Sequence, residues 1–553
     1  MSVLLDEGFR RSLEIVSRAA LVGVLVLSLV IVYRVAGDRS LPTPLRRRFV
    51  RGVPWGTAIV VVSLWLVFQF LQGGAADDGP VFISFRSWSV WYPQGILLSS
   101  FTHSGESHLL GNLFGTLAFA PIVEYAWGHY AREDERGVFP GWTGRPAVRI
   151  GLFVAVTFLA GVCSALFVPV AAVGFSAVVF AFAGAAVVLR PLVAVGAIVG
   201  IRVVRLVWEA LLNPVVTFRS QPVFSSPSFV DVSIQGHLFG VLVGFLLAVF
   251  LLQYRDSSPD IRAVFFAAVV FLVTRSMDAI YWELGNGRFM LFRALGTAGV
   301  LLLASLIALS ITRRNPPVIP RLDLSVRRSA LAAVLVALLI LSVAGLVFNL
   351  GSVTAGAEAE NGLEIRDYTV TYAENVPNQY LAGAPKPLGL GPQGANVSGV
   401  IVVSEDRDAW EVVASARRLA AEGRVQVVVG GVAWRQRLFV SRTAWVFIDG
   451  NVTYNVFAFG EGQEPVELFK APPANTSTVV DNSTFSIEPT EGFRNYTLAV
   501  ERGGEQVGSA LVPRVNETVD IAGFTFERKG DLLFLSQGNT SFQLARFRRS
   551  GRL

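Results

Sequence analysis

Long apolar runs recur through the first 350 residues, and they limit the possible folds of this chain more than any other feature. A run of about 18 or more apolar residues can cross a bilayer as one helix, with its backbone groups paired internally. The chain has 52% hydrophobic and only 16% charged residues, well outside the balance of a soluble globular protein. The sequence therefore predicts a polytopic α-helical membrane protein. The predicted spans are 19–35, 53–71, 107–127, 150–167, 176–190, 191–212, 235–255, 263–281, 291–311 and 330–350.

Basic residues flank these runs unevenly and predict how the chain is oriented. A cluster at Arg46, Arg47, Arg48 and Arg51 follows the first run, and the loop at 129–149 is also rich in arginine. Cytoplasmic loops carry an excess of Lys and Arg, so both segments are predicted to be cytoplasmic. This topology accounts for the net charge of +6 without nucleic-acid binding, because no basic stripe is interleaved with exposed aromatics.

Glycosylation sequons agree with a topology in which the last span places the rest of the chain outside the cell. Every Asn-x-Ser/Thr acceptor follows that span, and such acceptors are used only on the exoplasmic side. The acceptors are Asn396, Asn451, Asn475, Asn482, Asn495, Asn516 and Asn539. We therefore predict a multi-pass glycoprotein of the cell membrane with an extracellular C-terminal domain.

The C-terminal domain, at 351–553, is predicted to be a soluble, β-rich exterior domain. Runs of β-branched and aromatic residues alternate with Gly-Gly and Asp-Gly-Asn turns, and one helix is predicted at 409–421. The predicted strands are 400–403, 425–429, 437–440, 443–448, 453–459, 483–487, 496–500, 518–526 and 532–535. The domain contains no histidine and no cysteine, so we interpret it as a binding, docking or shielding module.

Polar side chains inside the apolar runs are the candidate functional residues. His108 and Asn112 are four residues apart, so they share one face of a helix. Polar groups at membrane depth are costly unless they have partners, which makes both residues functional candidates. A helix cap beside an interfacial histidine is the structural alternative.

Ser176 and His237 form a second candidate pair on two other spans. Ser176 begins an apolar helix shortly after Gly174, and His237 enters the membrane from the same side. A serine hydroxyl becomes a good nucleophile when a neighbouring imidazole takes its proton. The structural alternative is a serine that bonds its own helix backbone or eases helix packing.

Small residues are spaced so that the Ser176 and His237 helices can approach closely. The first strip consists of glycines at positions 236, 240 and 244, and the matching small residues are Ala177, Ala181 and Gly184. Close contact between backbones would bring a serine and a histidine on separate helices within hydrogen-bond reach, about 2.6–3.2 Å. Generic helix packing with a histidine beside it is the alternative.

The ordered motifs on three spans resemble the rhomboid family of intramembrane serine proteases. These motifs are His108-Leu-Leu-Gly-Asn112, Gly174-Phe-Ser176-Ala and Gly236-His237-Leu-Phe-Gly240-Val-Leu-Val-Gly244. The resemblance covers about 53–255 and implies a six-helix core, here with about three additional transmembrane helices. It implies that Ser176 is the nucleophile and His237 its general base, in a dyad without an acidic third member.

The resemblance also assigns roles to residues around the dyad. It implies that His108 and Asn112 form an oxyanion hole together with the backbone N–H of Ser176. It implies structural support by Glu124 on the His108 helix. Structural support is further assigned to Gly174, Gly236, Gly240 and Gly244.

The chain departs from the family pattern in two places. Ala177 stands where many members have glycine, a change of one small residue for another. Leu98 and Ser99 occupy the position of a Trp-Arg pair that often anchors the first outer loop, so the anchor must differ. The residues available to anchor the loop are Arg86, Trp88 and Trp91. His103 matches a recurrent family histidine, and we predict that it supports this loop.

The predicted function is that of an intramembrane serine endopeptidase. It would hydrolyse peptide bonds in or near transmembrane helices of membrane-protein substrates, with no cofactor and no metal. Its partners would be those substrates and the lipid bilayer, while the oligomeric state stays open. The alternative is a catalytically inactive rhomboid-like protein that binds transmembrane clients, and the presence of both Ser176 and His237 favours the enzyme. The predicted domains are 1–52, an N-terminal span and basic loop; 53–255, the catalytic core; 256–350, additional spans; and 351–553, the exterior domain.

Overall fold

Residue contacts divide the protein into two compact units, each of which is described separately. The computed structural model describes residues 7–36, 43–130, 144–168, 171–216, 233–257, 259–285, 288–312, 317–319, 324–351, 361–379 and 396–548. The helical unit contains Met1–Ala75, Phe85–Trp282 and Phe289–Asn349, and the β unit contains Ala76–Ser84, Glu283–Arg288 and Leu350–Leu553. Most of the predicted cytoplasmic loop at 129–149 lies outside the described residues.

Each predicted span of the helical unit contains a helix. The helices of the unit are α1 (Glu7–Ala36), α2 (Thr43–Arg48), α3 (Trp55–Leu66), α4 (Pro93–Leu98), α5 (Glu106–Trp127), α6 (Pro146–Phe167), α7 (Ser176–Leu189), α8 (Pro191–Leu212), α9 (Ile234–Tyr254), α10 (Ile261–Thr274), α11 (Arg293–Ser310) and α12 (Val326–Asn349). Within the described residues, six of them are long and apolar enough to cross a membrane, namely α5, α6, α8, α9, α11 and α12. Shorter apolar helices occupy Trp55–Leu71, Ser176–Leu189 and Ile261–Thr274. The predicted helical membrane core is confirmed.

The α7 helix lies in the middle of the packed core. Apart from Ala181, its residues from Val178 to Val188 are all buried. A helix that is apolar on every side, as α7 is, belongs in the interior of a bundle. The chain that enters α7 and the helices that surround it therefore determine the position of Ser176.

The predicted contact between the small-residue strips forms between α7 and α9. A methyl group on Gly240 would collide with the carbonyl oxygen of Ala177, and one on Gly244 would collide with that of Ala181. From the first contact to the second, the contacting residue moves four positions toward the C-terminus on both helices. The α7 and α9 helices therefore run parallel. The two helices pack backbone against backbone, as small residues four apart allow.

The α10 helix is shorter than the sequence predicts. We expected it to reach about position 281, but it ends at Thr274, and Ser276 has a positive φ of 54°. A left-handed residue stops α-helical propagation. A strand, β1 (Tyr281–Gly285), then precedes β2 (Arg288–Leu291), and two further short strands, β3 (Pro317–Ile319) and β4 (Leu324–Ser325), lie before α12.

The β unit consists of antiparallel sheets, which confirms the predicted β-rich region. Its elements are β5 (Gly362–Ile365), β6 (Tyr368–Pro377), β7 (Asn396–Ser404), β8 (Ala409–Ser415), α13 (Ala416–Glu422), β9 (Arg424–Gly431), β10 (Trp434–Phe447), β11 (Val452–Gly460), β12 (Val466–Lys470), β13 (Ala474–Asn475), β14 (Ser483–Pro489), β15 (Tyr496–Arg502), β16 (Glu505–Leu511), β17 (Thr518–Ile521), β18 (Phe524–Lys529), β19 (Leu532–Gln537) and β20 (Thr540–Arg548). Four-stranded sheets have the orders β5-β6-β7-β8 and β13-β14-β15-β16. An eight-stranded sheet has the order β12-β11-β10-β20-β19-β18-β17, with β9 also paired to β10.

The helix predicted at 409–421 is wrong over its first half. Residues 409–415 form β8, in which Trp410 pairs with Val403 of β7. The helix starts only at Ala416, where the Ser415 side chain accepts a hydrogen bond from the Arg418 N–H. Aromatic and β-branched residues favour a strand before this cap, and the cap then starts the helix.

A short piece of the loop before α4 belongs to the β unit. The Asp78 carboxylate pairs with the Arg435 guanidinium of β10, which also donates to the Gly79 carbonyl at 2.7 Å. The Gln426 side chain of β9 donates to the Asp78 carbonyl at 2.8 Å. These contacts hold the segment 76–84 against β9 and β10.

Candidate active site

Ser176 is the first residue of α7, and a turn that requires glycine at position 174 places it there. Gly174 has a φ of +114°, a conformation that side chains rarely adopt, and it is buried. Phe175 precedes the helix without a side-chain cap. The N–H groups of Val178 and Val179 both donate to the Phe175 carbonyl at 3.1 Å. The N–H groups of Ser176 and Ala177, at the start of the helix, have no intrahelical acceptor and lie beside the half-buried Ser176 side chain.

Hydrogen bonds from the segment 86–99 fix the turn before Ser176. The Ser99 carbonyl accepts a hydrogen bond from the Gly174 N–H at 2.8 Å. The Ser87 N–H donates to the Ala172 carbonyl at 3.1 Å, and Ser87 Oγ accepts from the Ala172 N–H at 3.0 Å. The Arg86 Nε donates to the Ala171 carbonyl at 2.7 Å. Of the side chains available to anchor the loop, Arg86 thus bonds directly to the stretch that leads into Ser176.

His237 lies in the first turns of α9, beside the start of α7. Its ring stacks on Phe180, with ring centroids 3.9 Å apart and planes within 6° of parallel. Phe180 is one helical turn beyond Ser176, so His237 faces the first turn of α7. Among the described residues, His237 Nδ1 has no hydrogen-bond partner, and Ser176 and His237 are not hydrogen-bonded to each other. Such bonds are often long in substrate-free sites and tighten when substrate binds.

His108 and Asn112 of α5 converge on Gly174. A β-carbon on that glycine would lie 2.6 Å from His108 Nε2 and 3.5 Å from Asn112 Nδ2. The other ring nitrogen of His108 is 3.1 Å from Ser104 Oγ. Asn112 is buried, and within the described part of the chain its Nδ2 donates to no acceptor. A buried amide donor without a protein acceptor is uncommon and often has a functional reason.

His103 supports the loop before α5 and packs on His108. Its backbone N–H and carbonyl pair with the Gln72 side chain, both at 2.8 Å. The two imidazole rings lie 5.2 Å apart in an edge-to-face arrangement. Burial, with a smaller contribution from the neighbouring His108, lowers the pKa of His103 to about 3. His103 is therefore neutral at physiological pH.

The predicted glycines of α9 lie where side chains do not fit. A β-carbon on Gly236 would lie 2.9 Å from Ser233 Oγ, the side chain that caps α9 by accepting from the Gly236 N–H. Gly240 and Gly244 contact the α7 backbone, as described above. These glycines bring the start of α9, and with it His237, close to the start of α7.

Glu124 lies near the opposite end of α5 from His108 and is fully buried. Its carboxylate accepts from the Gly56 N–H at 2.7 Å, the Thr57 N–H at 2.8 Å and the Thr57 hydroxyl at 2.7 Å. Its fourth contact is His129 Nε2 at 2.6 Å. The Val50 N–H donates to His129 Nδ1, so Nε2 carries the proton that bonds Glu124. Glu124 thus connects the start of α3 to α5, away from Ser176.

His129 is the polar residue that the sequence motifs missed. It follows Gly128, beyond the end of α5, and no spacing rule links it to Glu124 or Val50. The only available signal is that the chain contains just four histidines, and that this one directly follows an apolar helix.

The side chains around Ser176 form a set that suits acyl transfer. Ser176 offers a hydroxyl, His237 offers an imidazole from a parallel helix, and Asn112 and His108 face the turn that carries the serine. Within the described ranges, no group of three or more His, Cys, Asp and Glu side chains is placed to hold a metal ion. The fold and this cluster define a class of protein: a polytopic helical membrane protein with a serine and histidine cluster inside its bundle.

Comparison with known protein families shows which family this helical bundle resembles. Residues 88–254 match the family model described as Rhomboid domain. The chain therefore carries a rhomboid domain over these residues. The matched segment contains Ser176, His237, His108 and Asn112. No curated protein and no solved structure matches the chain.

Proposed function

We propose that this protein is an intramembrane serine endopeptidase that hydrolyses peptide bonds in or near transmembrane helices of other membrane proteins. One observation carries the proposal: His108 and Asn112 pack on Gly174, two residues before Ser176, while His237 faces the same helix start. A nucleophile, a base and donors for a developing negative charge are the components that acyl transfer requires.

In the first step, Ser176 Oγ attacks the carbonyl carbon of the scissile bond while His237 takes the hydroxyl proton. The carbonyl oxygen becomes an oxyanion, which Asn112 Nδ2, His108 and the Ser176 N–H would stabilise. Preorganised donors of this kind contribute more in a water-poor site than in bulk water. Helix α7 adds to this because its N-terminus carries partial positive charge.

In the second step, the tetrahedral intermediate collapses and the C–N bond breaks. The leaving amine takes the proton from His237, and the carbonyl carbon stays bound to Ser176 as an ester. Water then attacks the ester carbon while His237 takes its proton. The bond between that carbon and Ser176 Oγ breaks, His237 returns the proton to Oγ, and the new C-terminal acid leaves. Every proton moves through His237, so the dyad needs no acidic third residue to balance the reaction.

The sidedness of the protein belongs to the same proposal. Arginine-rich segments after the first predicted span and before α6 indicate the cytoplasmic side, and all sequons follow α12. The site would then face the outside of the cell together with the glycosylated C-terminal domain. Substrates would be membrane proteins cut near the outer ends of their helices.

One observation favours a second candidate, a rhomboid-like protein that binds transmembrane clients without cutting them. Ser176 and His237 are not hydrogen-bonded in this structure, as they would be in an activated nucleophile. The two functions differ in whether Ser176 reacts. We prefer the enzyme because a protein that only binds clients has no need for Asn112, His108 and His237 around one serine.

The test uses purified full-length protein and a fluorophosphonate probe together with a model transmembrane substrate. Ser176→Ala and His237→Ala should both abolish labelling and cleavage. Ser305→Ala is the matched control, because Ser305 lies half-buried on α11 and its hydroxyl bonds its own helix at the Leu301 carbonyl. It should retain full activity. A folded wild-type protein that neither reacts with the probe nor cuts several substrates would establish the client-binding function instead.

A further inference from the structure

Three arginines lie at one level of α8 and α10. Arg202 and Arg205 are exposed on α8, and Arg275 follows the last residue of α10. The two helices pack against each other. The charge of Arg275 interacts with those of Arg202 and Arg205, and it also acts on His237 in the first turns of α9.

The helix geometry places these arginines within the thickness of the membrane. Helices α8 and α10 begin at the same end of the bundle, because α7 and α9 run parallel and each is followed by a short connection. Along the helix axis, Arg205 lies about 21 Å from the first residue of α8, and Arg275 lies about 21 Å from the first residue of α10. Arg205 is also about 10 Å before Leu212, the last residue of α8. Leu212 accepts a hydrogen bond from Arg18 of α1 at 3.1 Å.

The acidic groups around this cluster do not balance its charge. Glu209 pairs with Arg205 at 2.7 Å. In the part of the chain that the structure describes, no carboxylate forms an ion pair with Arg202 or Arg275. Ionisable residues at this depth are costly and rare unless an anion or water compensates them. Three guanidinium groups and one carboxylate leave a net positive site.

The surroundings of the cluster are those of a lipid-facing surface. Helix α8 buries only Ala194 and Ile198, and the side chains of Arg205 and Glu209 are more than half exposed. Arginine side chains on such a face extend along the helix so that the guanidinium reaches the headgroup region. A guanidinium binds phosphate with two parallel hydrogen bonds, which makes arginine the side chain best suited to a phosphate group.

We infer that Arg202, Arg205 and Arg275 form a binding site for the phosphate group of an anionic phospholipid, in the leaflet next to the Ser176 end of the bundle. The lipid phosphate would lie beside the three arginines and neutralise the positive charge that Glu209 does not compensate. Lipid binding at this site does not require that the protein cut its clients.

Lipid selectivity of the purified full-length protein tests this inference. The protein is reconstituted in phosphatidylcholine vesicles, and the protein-bound fractions of spin-labelled phosphatidylglycerol and spin-labelled phosphatidylcholine are compared. Wild type should prefer phosphatidylglycerol, and each of Arg202→Gln, Arg205→Gln and Arg275→Gln should lower that preference up to about fivefold. The triple variant should bind both lipids equally. Arg275→Lys should retain part of the preference, because it keeps the charge and loses the paired geometry.

Arg293→Gln is the matched control, since Arg293 begins α11 and is exposed outside the cluster. It should bind like wild type, and circular dichroism should show that all variants keep their helices. Equal binding of both lipids by wild type, or an unchanged preference in the triple variant, would overturn the inference. Displacement of the lipid by millimolar inorganic phosphate would assign the site to free phosphate and overturn the lipid assignment. If the triple variant keeps its lipid preference but binds clients with acidic residues more weakly than wild type, the arginine site would be assigned to client carboxylates.

Discussion

The imidazole of His237 and the ring of Phe180 stack with their centroids 3.9 Å apart, although the two residues lie on different helices. Phe180 is buried, and its position one turn after Ser176 makes it the surface that sets the plane of the His237 ring. A base on one helix can reach a nucleophile on another only if its ring is held in a fixed orientation.

Phe180→Leu should therefore lower the cleavage rate more than it lowers substrate binding. We expect a loss of about tenfold to a hundredfold in kcat, because small misplacements of reacting groups cost this much. Phe180→Tyr keeps an aromatic ring under His237 and should stay near the wild-type rate. The two variants are compared by steady-state cleavage of a model substrate. Equal rates for the two variants would show that the stacking does not orient the base.

Asn112→Ala should reduce activity without unfolding the protein. Loss of one oxyanion donor typically costs about 10²–10³ in rate. The Asn112 Nδ2 donates to no acceptor among the described residues, so its removal should change the free energy of unfolding by no more than about 1 kcal/mol. Cleavage assays and thermal denaturation measure the two effects separately. Asn213→Ala, at the exposed end of α8, should leave both unchanged. A large loss of stability in Asn112→Ala would indicate a structural role instead.

Gly240→Ala should destabilise the helical unit because the added methyl group meets the Ala177 carbonyl. Overpacking of a tight contact costs about 1–3 kcal/mol, and the displaced α9 should also move His237 and reduce cleavage. Gly200→Ala is the matched control, since nothing lies within 4 Å of a β-carbon at that position of α8. It should be neutral or slightly stabilising. Thermal denaturation of both variants in one detergent provides the measurement, and equal melting temperatures would contradict the close packing of α7 and α9.

The sequence predicts the parts of this structure that depend on local pattern. Apolar runs located the spans, because a helix in lipid must satisfy its own backbone. The small residues of α7 and α9 predicted the contact that now places His237 against Phe180. The sequence did not predict contacts between distant residues, such as His129 with Glu124 or Arg86 with Ala171, because these follow from packing. The strand at 409–415 was mistaken for helix because only its pairing with β7 distinguishes the two.

Stability should fall on acidification because of His103. Its pKa is about 3 in the folded protein and about 6.5 when the residue is unperturbed, and burial is the main cause of the difference. Between these two values the unfolded chain binds a proton that the folded chain does not bind. The free energy of unfolding therefore decreases as the pH is lowered through this range, by about 1.4 kcal/mol per pH unit below 6.5. At pH 5 the loss from His103 alone should be about 2 kcal/mol.

His103→Leu should remove this contribution and flatten the dependence of stability on pH between 7 and 5. The substitution preserves the bonds to Gln72, because those bonds use only the backbone of residue 103. Gln72→Leu is the complementary variant: it breaks both bonds and should lower stability equally at every pH. Thermal denaturation of the three proteins at pH 7, 6 and 5 distinguishes the two effects. If His103→Leu and wild type lose stability in parallel, a different group titrates over this range, and His103 serves the loop only through its backbone.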